Sequence, residues 1–158
     1  MRKTRCLGWL AGVVLAVPLT LMVGSPVFAL VDYRECTPAL LNGLYVFTAT
    51  GFSIPTSPGP ALPQAIVELI RFNGDGSASV PGVSLSLNGT IIVGPGGTGT
   101  YTVADLAPKD DACIGNVTFS GAGTPSLNFV ASRTGETIWL IRRDPTFVFQ
   151  GTATKLSP

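Results

Sequence analysis

The chain has 158 residues, of which 46% are hydrophobic and 12% charged, with a formal net charge of +1 and no histidine. The missing histidine excludes Ser-His-Asp and Cys-His catalysis and removes the commonest ligand of transition metals, so we predict no metal and no cofactor. Without a basic run, the chain lacks the positive charge with which proteins hold nucleic acid or anionic membrane surfaces.

The first 29 residues carry the pattern of a secretory signal peptide. Basic residues near the N-terminus precede an apolar run from Leu7 to Val23, and small residues lead to Ala29. We predict cleavage after Ala29, which leaves one domain, residues 30–158, that is secreted or periplasmic and has no membrane anchor. A retained anchor is the alternative, because about 20 apolar residues span a bilayer. After cleavage, the domain contains seven Lys or Arg residues and nine Asp or Glu residues.

Two cysteines remain after that cleavage, Cys36 and Cys113. In an oxidising compartment, an even pair in a small secreted domain most simply forms one disulfide. The bridge would join the segment before the first strand to the start of a strand in the middle of the chain. A redox-active pair is the alternative, but such cysteines usually lie close together as Cys-x-x-Cys.

The region after the leader has the pattern of an antiparallel all-β domain. A short turn at Thr37–Leu41 is the one helical element predicted, with Pro38 suited to a first helical position. The rest holds short β-branched and aromatic runs separated by Gly, Pro, Asn and Asp. The predicted strands number eight or nine and are Gly43–Thr50, Ala65–Phe72, Ser77–Val80, Val83–Asn88, Gly99–Val103, Gly115–Ser120, Ser126–Ser132, Glu136–Arg142 and Thr146–Thr154.

Turn and loop residues separate these strands. Asn73–Gly76 and Asn88-Gly89 supply residues that tolerate the positive φ of tight hairpin turns. Gly94–Gly97 is interpreted as a further hairpin connection. Ser53–Pro63 contains four prolines and is predicted to be a long surface loop, with Asp105–Asp111 as a second one.

Alternation with a period of two predicts which side chains point inward. The inward set is rich in aromatic residues. Its aromatic members are Tyr45, Phe47, Tyr101, Phe119, Phe129, Phe147 and Phe149. Ile66–Arg71 and Ile138–Arg143 are apolar on both faces, so their outer sides need cover from a loop, the N-terminal segment or another subunit. Sequential hairpins with such runs favour an antiparallel up-and-down β-barrel of about eight strands, with a β-sandwich as the alternative.

Four segments carry a resemblance to known proteins: Leu41–Phe47, Asn73–Gly76, Gly99–Val103 and Cys113–Phe119. Together they resemble a loose group of secreted bacterial proteins of unknown function, which are similar to small calycin-like or allene-oxide-cyclase-like barrels. The resemblance covers nearly the whole region after the leader, but its elements are strand and turn residues. It implies a barrel fold and a bacterial envelope or exterior, and it carries over no catalytic residue.

Charged residues inside the strand patterns are the sharpest functional hint. Glu68 shares a face with Ile66 and Ile70, and Arg142 shares one with Leu140. If those faces point into a barrel, the two charges need each other or a ligand, because an unpaired buried charge is very costly. The alternative is that both groups sit at strand ends or reach water.

Three functions are compatible with this pattern. The favoured one is a non-enzymatic barrel that binds a small apolar or amphipathic molecule in a cavity lined by the inward aromatic residues. The second is a cofactor-free cyclase or isomerase in which Glu68, Tyr101 and Arg142 converge in one pocket. The third is a structural or interaction module of the cell envelope, whose outer face around Trp139 and Ile141 packs against a partner or a second copy.

Overall fold

The protein is a closed eight-stranded antiparallel barrel. The computed structural model describes residues 34–106, 111–120 and 125–156. Each strand pairs with the next along the chain, and the last pairs with the first. The strands are β1 Gly43–Ser53, β2 Leu62–Phe72, β3 Ser77–Leu87, β4 Thr90–Asp105, β5 Ala112–Phe119, β6 Ser126–Ser132, β7 Thr137–Arg142 and β8 Phe147–Lys155. The up-and-down barrel is confirmed; the predicted leader lies outside the described residues.

One end of the barrel is closed by the N-terminal segment. A 3₁₀ helix, Pro38–Leu41, precedes β1 and begins with its proline, as predicted. Its Leu40 and Leu41 are buried in the core. Because Pro38 has no N–H to leave unpaired and its φ is already near the helical value, it suits this first position.

Aromatic side chains fill the same half of the interior. The ring of Phe72 contacts the rings of Tyr45 and Tyr101 edge to face, with centroids 5.3 and 4.9 Å apart. The Tyr45 hydroxyl donates to the carbonyl of Gly135 in the β6–β7 turn. Edge-to-face pairs of this kind stabilise the fold beyond the burial of apolar surface alone. We call this tightly packed half of the barrel the closed half.

A disulfide ties the N-terminal segment to the barrel wall. Cys36 and Cys113 are bonded, with Cα atoms 5.5 Å apart, which confirms the predicted pairing. Cys113 lies in β5 and is fully buried. The bond is compatible with a location outside the cytoplasm. In the three described ranges, no helix is long and apolar enough to cross a membrane.

Two predicted strands are parts of one. Ser77–Val80 and Val83–Asn88 together form β3, whose pairing with β2 shifts between Glu68 and Arg71. Pro81 lies at this irregularity, where the ladder does not need its missing N–H. A proline inside a strand pattern therefore marked a bulge and not a strand end.

The prediction of a hairpin at Gly94–Gly97 is wrong. These residues lie within β4, and the β3–β4 turn is Asn88-Gly89, where φ is 48° and 84°. Gly96 allows the backbone of Val80 to approach closely, because a Cβ at position 96 would lie 1.5 Å from the carbonyl oxygen of Val80. The proline-rich stretch does connect β1 to β2, but β2 begins earlier than predicted, at Leu62. The predicted Asp105–Asp111 loop falls partly outside the described residues.

Replacing Tyr101 with phenylalanine is expected to lower the free energy of unfolding by about 1–3 kcal/mol. The Tyr101 hydroxyl donates to the carbonyl of Pro38 at 2.8 Å and accepts the Gly74 N–H at 3.0 Å. The variant keeps the ring but leaves both backbone groups without this partner. Urea denaturation measures the change, with Thr154→Val, which removes an exposed hydroxyl of β8, as the control. Equal stability of Tyr101→Phe and the wild type would contradict the assigned role.

Candidate functional site

The other half of the barrel interior contains a cavity. Its volume is about 260 Å³, and side chains from β1, β2, β3 and β5 to β8 line it. Most of the lining is apolar, and the polar side chains in it are Gln64, Glu68 and Arg142. We call this space the interior cavity.

The structure divides the predicted aromatic lining between the two halves of the barrel. Phe47, Phe119, Phe147 and Phe149 line the interior cavity. The remaining three, Tyr45, Tyr101 and Phe129, point inward but do not line it. The two tyrosines belong to the closed half, and the Phe129 ring packs where a Cβ on Gly115 would otherwise lie. Alternation along a strand identifies the inward direction, but it does not show at which height of the barrel a side chain lies.

Arg142 is the last residue of β7, and its positively charged guanidinium group lies at the wall of the interior cavity. Its guanidinium carbon lies 4.0 Å from the ring centroid of Phe147 and 5.4 Å from that of Phe149. Its Nε donates to the carboxylate of Asp144. Asp144 also accepts the Thr146 hydroxyl at 2.9 Å. Both aromatic faces and a carboxylate therefore compensate the buried positive charge.

Glu68 lies on the inward face of β2 without such compensation. It stands opposite Phe47 of β1 and Val83 of β3. No described residue donates a hydrogen bond to its carboxyl group or forms an ion pair with it. Burial raises the pKa of Glu68 from 4.5 to about 7, because removal from water disfavours the charged form. Glu68 and Arg142 thus share the cavity, but Arg142 is paired with Asp144 instead.

Gln64 is a polar lining residue that the sequence patterns did not single out. It is 6% exposed, and none of the described residues forms a hydrogen bond with its amide nitrogen. It lies four residues before Glu68 on the same face of β2, about 13 Å along the strand. The predicted strand began at Ala65, so Gln64 fell in the predicted loop. The period of two, extended backward from Glu68 through Ile66, is the signal that could have found it.

The three-residue arrangement required for the cyclase hypothesis is not formed. Glu68 and Arg142 line the interior cavity, whereas the Tyr101 hydroxyl is bound to Pro38 and Gly74 at the closed end. Tyr101 is therefore a structural residue. Among the described residues, no cluster of three or more His, Cys, Asp or Glu could hold a metal ion.

A larger concave surface lies on the outer wall. The concavity has a volume of about 690 Å³ and extends over β4 to β8. It includes Trp139 and Ile141, which are 51% and 56% exposed. Among the residues that the structure describes, no charged side chain lines this surface, and it is more open to solvent than the interior cavity. The prediction that a partner or a second copy covers this face stays a prediction. The less open interior cavity, which contains an uncompensated carboxyl group, is the candidate functional site.

The fold and this site define a class: small closed β-barrels with an apolar cavity inside one half. Comparison with protein-family models, curated proteins and solved structures finds no match for the chain. The resemblance to secreted calycin-like or allene-oxide-cyclase-like barrels therefore stays a prediction.

Proposed function

We propose that this protein is an exported, non-enzymatic barrel that binds one small apolar or amphipathic molecule in the interior cavity. The observation that carries the proposal is the cavity of about 260 Å³ between apolar and aromatic walls. Eight-stranded barrels are either filled by side chains or hold one small ligand. Here the closed half is filled and the other half leaves room.

The size of the cavity limits the ligand. Its volume of about 260 Å³ lies just below the usual range of pockets for drug-sized molecules, about 300–1,000 Å³. A single aromatic ring with a short side chain fits this space. The apolar wall provides the binding free energy, and the polar groups at Glu68, Gln64 and Arg142 orient the ligand.

The leader pattern and the disulfide support export. A signal peptide brings the chain into an oxidising compartment, where Cys36 and Cys113 can bond. Native mass spectrometry of the protein purified from its own host tests both parts of the proposal. We expect the mass of a chain that begins at Leu30, with one disulfide and a bound molecule of a few hundred daltons at most.

Filling the cavity is expected to abolish binding of a small neutral probe. Ile66 lines the cavity on β2, whereas the next residue, Val67, points outward and is 57% exposed. Ile66→Phe adds volume inside the cavity, and Val67→Phe adds it outside. With 2-phenylethanol as the probe, we expect calorimetric titration to show at least about tenfold weaker binding for Ile66→Phe, because tenfold corresponds to only 1.4 kcal/mol.

Val67→Phe is the matched control and should bind 2-phenylethanol as the wild type does. Circular dichroism confirms that both variants fold, because overpacking a core costs about 1–3 kcal/mol. If Ile66→Phe folds and still binds the probe with wild-type affinity, the interior cavity is not the binding site. Failure of the wild type to bind would count against the proposal itself.

A further inference from the structure

We propose that the ligand of the interior cavity is an amine, a protonated nitrogen on a small apolar body, and that its ammonium group pairs with Glu68. This inference rests on the proposed function and adds the chemical class of the ligand. It follows from which charge in the cavity lacks a partner and from what surrounds that charge.

The charge without a partner is negative. Two charged side chains among the described residues line the cavity, Glu68 from β2 and Arg142 from β7. The guanidinium group of Arg142 is hydrogen-bonded to the carboxylate of Asp144 and stacks on the ring of Phe147. The residues that flank Glu68 on the neighbouring strands, Phe47 and Val83, carry no charge. An anionic ligand would meet an uncompensated carboxyl group, whereas a cation would give that group its missing partner.

The surroundings of Glu68 also suit a cation. Directly opposed residues on paired strands have Cβ atoms about 4.5–5.5 Å apart, so the side chains of Phe47 and Glu68 leave neighbouring points of the wall and line the same cavity. The Phe149 ring follows, with its centroid 6.4 Å from that of Phe47. Aromatic faces attract cations, and Arg142 already uses Phe147 and Phe149 in this way at the same cavity.

The ionisation of Glu68 makes the expected binding dependent on pH. Burial raises the pKa of this carboxyl group to about 7. Ammonium binding requires the carboxylate, so the affinity for an amine falls as the pH drops below that value. The affinity for a neutral ligand of the same shape does not depend on the carboxylate, so it does not fall at low pH in this way.

The test compares three probes that have a phenyl ring and a short chain: 2-phenylethylamine, 2-phenylethanol and 3-phenylpropanoate. At about pH 8, where Glu68 is mostly ionised, we expect calorimetric titration to show the amine binding at least about tenfold more tightly than the alcohol, since hydrogen bonds to charged groups exceed neutral ones. The anion should bind most weakly. At about pH 5, the advantage of the amine should shrink at least about tenfold.

Glu68→Gln should bring the ratio of amine to alcohol affinity close to one, and Glu35→Gln, a change at an exposed glutamate, should leave it as in the wild type. If the alcohol binds and the amine has no advantage at about pH 8, or if the anion binds most tightly, the amine assignment is wrong while the proposed function stands. If none of the three probes binds, the proposed function fails, and this inference fails with it.

Discussion

Removal of the Cys36–Cys113 disulfide is expected to lower the free energy of unfolding by about 4 kcal/mol. The two cysteines are 77 residues apart, so the bond closes a long loop and strongly restricts the unfolded chain. It also holds the segment that leads into the 3₁₀ helix, whose leucines help to close the barrel. For a domain of this size, a loss of that order lowers the melting temperature by about 10–20 °C.

The variant for this measurement is the double replacement Cys36→Ala and Cys113→Ala, because Cys113 is fully buried and a serine hydroxyl there would lack room for water. Wild-type protein reduced with a thiol should melt close to the double variant. Both forms should keep the far-ultraviolet circular dichroism of a β-protein. A melting temperature that does not change on reduction, or two thiols that react before reduction in the exported protein, would contradict the bond.

Replacing Glu68 with glutamine is expected to stabilise the protein by about 3 kcal/mol above pH 7, with no gain near pH 4. The pKa of Glu68 is about 7 in the folded protein, against an ordinary value of 4.5. Below 4.5 the carboxyl group is protonated in both states and does not disfavour folding. As the pH rises toward 7, the unfolded chain ionises first, so the wild type loses stability until the folded form ionises as well.

Glutamine has the shape of the protonated acid and carries no charge, so the variant avoids this loss at every pH. Urea denaturation at about pH 4 and about pH 8 measures the difference. The control is Glu35→Gln, which changes an exposed glutamate and should show the same stability as the wild type at both values. A Glu68→Gln variant that is no more stable than the wild type at about pH 8 would show that Glu68 is well solvated.

The amino-acid sequence was sufficient to predict the fold and the disulfide. Period-two alternation, turn residues with positive φ and the two cysteines that follow the predicted leader are signals that can be read directly from the sequence. They predicted an all-β barrel, its inward aromatic residues and the bridge between Cys36 and Cys113. Local signals failed where a glycine or proline had a distant partner: Gly96 lies in β4 because the Val80 backbone approaches it closely.

The composition of the candidate site was decided by the tertiary structure. The sequence identified Glu68, Tyr101 and Arg142 as polar residues on inward faces, and the barrel brings only Glu68 and Arg142 to the same cavity. Strand register and closure of the sheet determine the height at which each side chain lies, and these depend on pairing between residues far apart in the chain. The same long-range pairing buries Gln64 in the cavity wall and places no described residue as a partner beside Glu68, whereas Arg142 has a partner, Asp144, two residues away in the sequence.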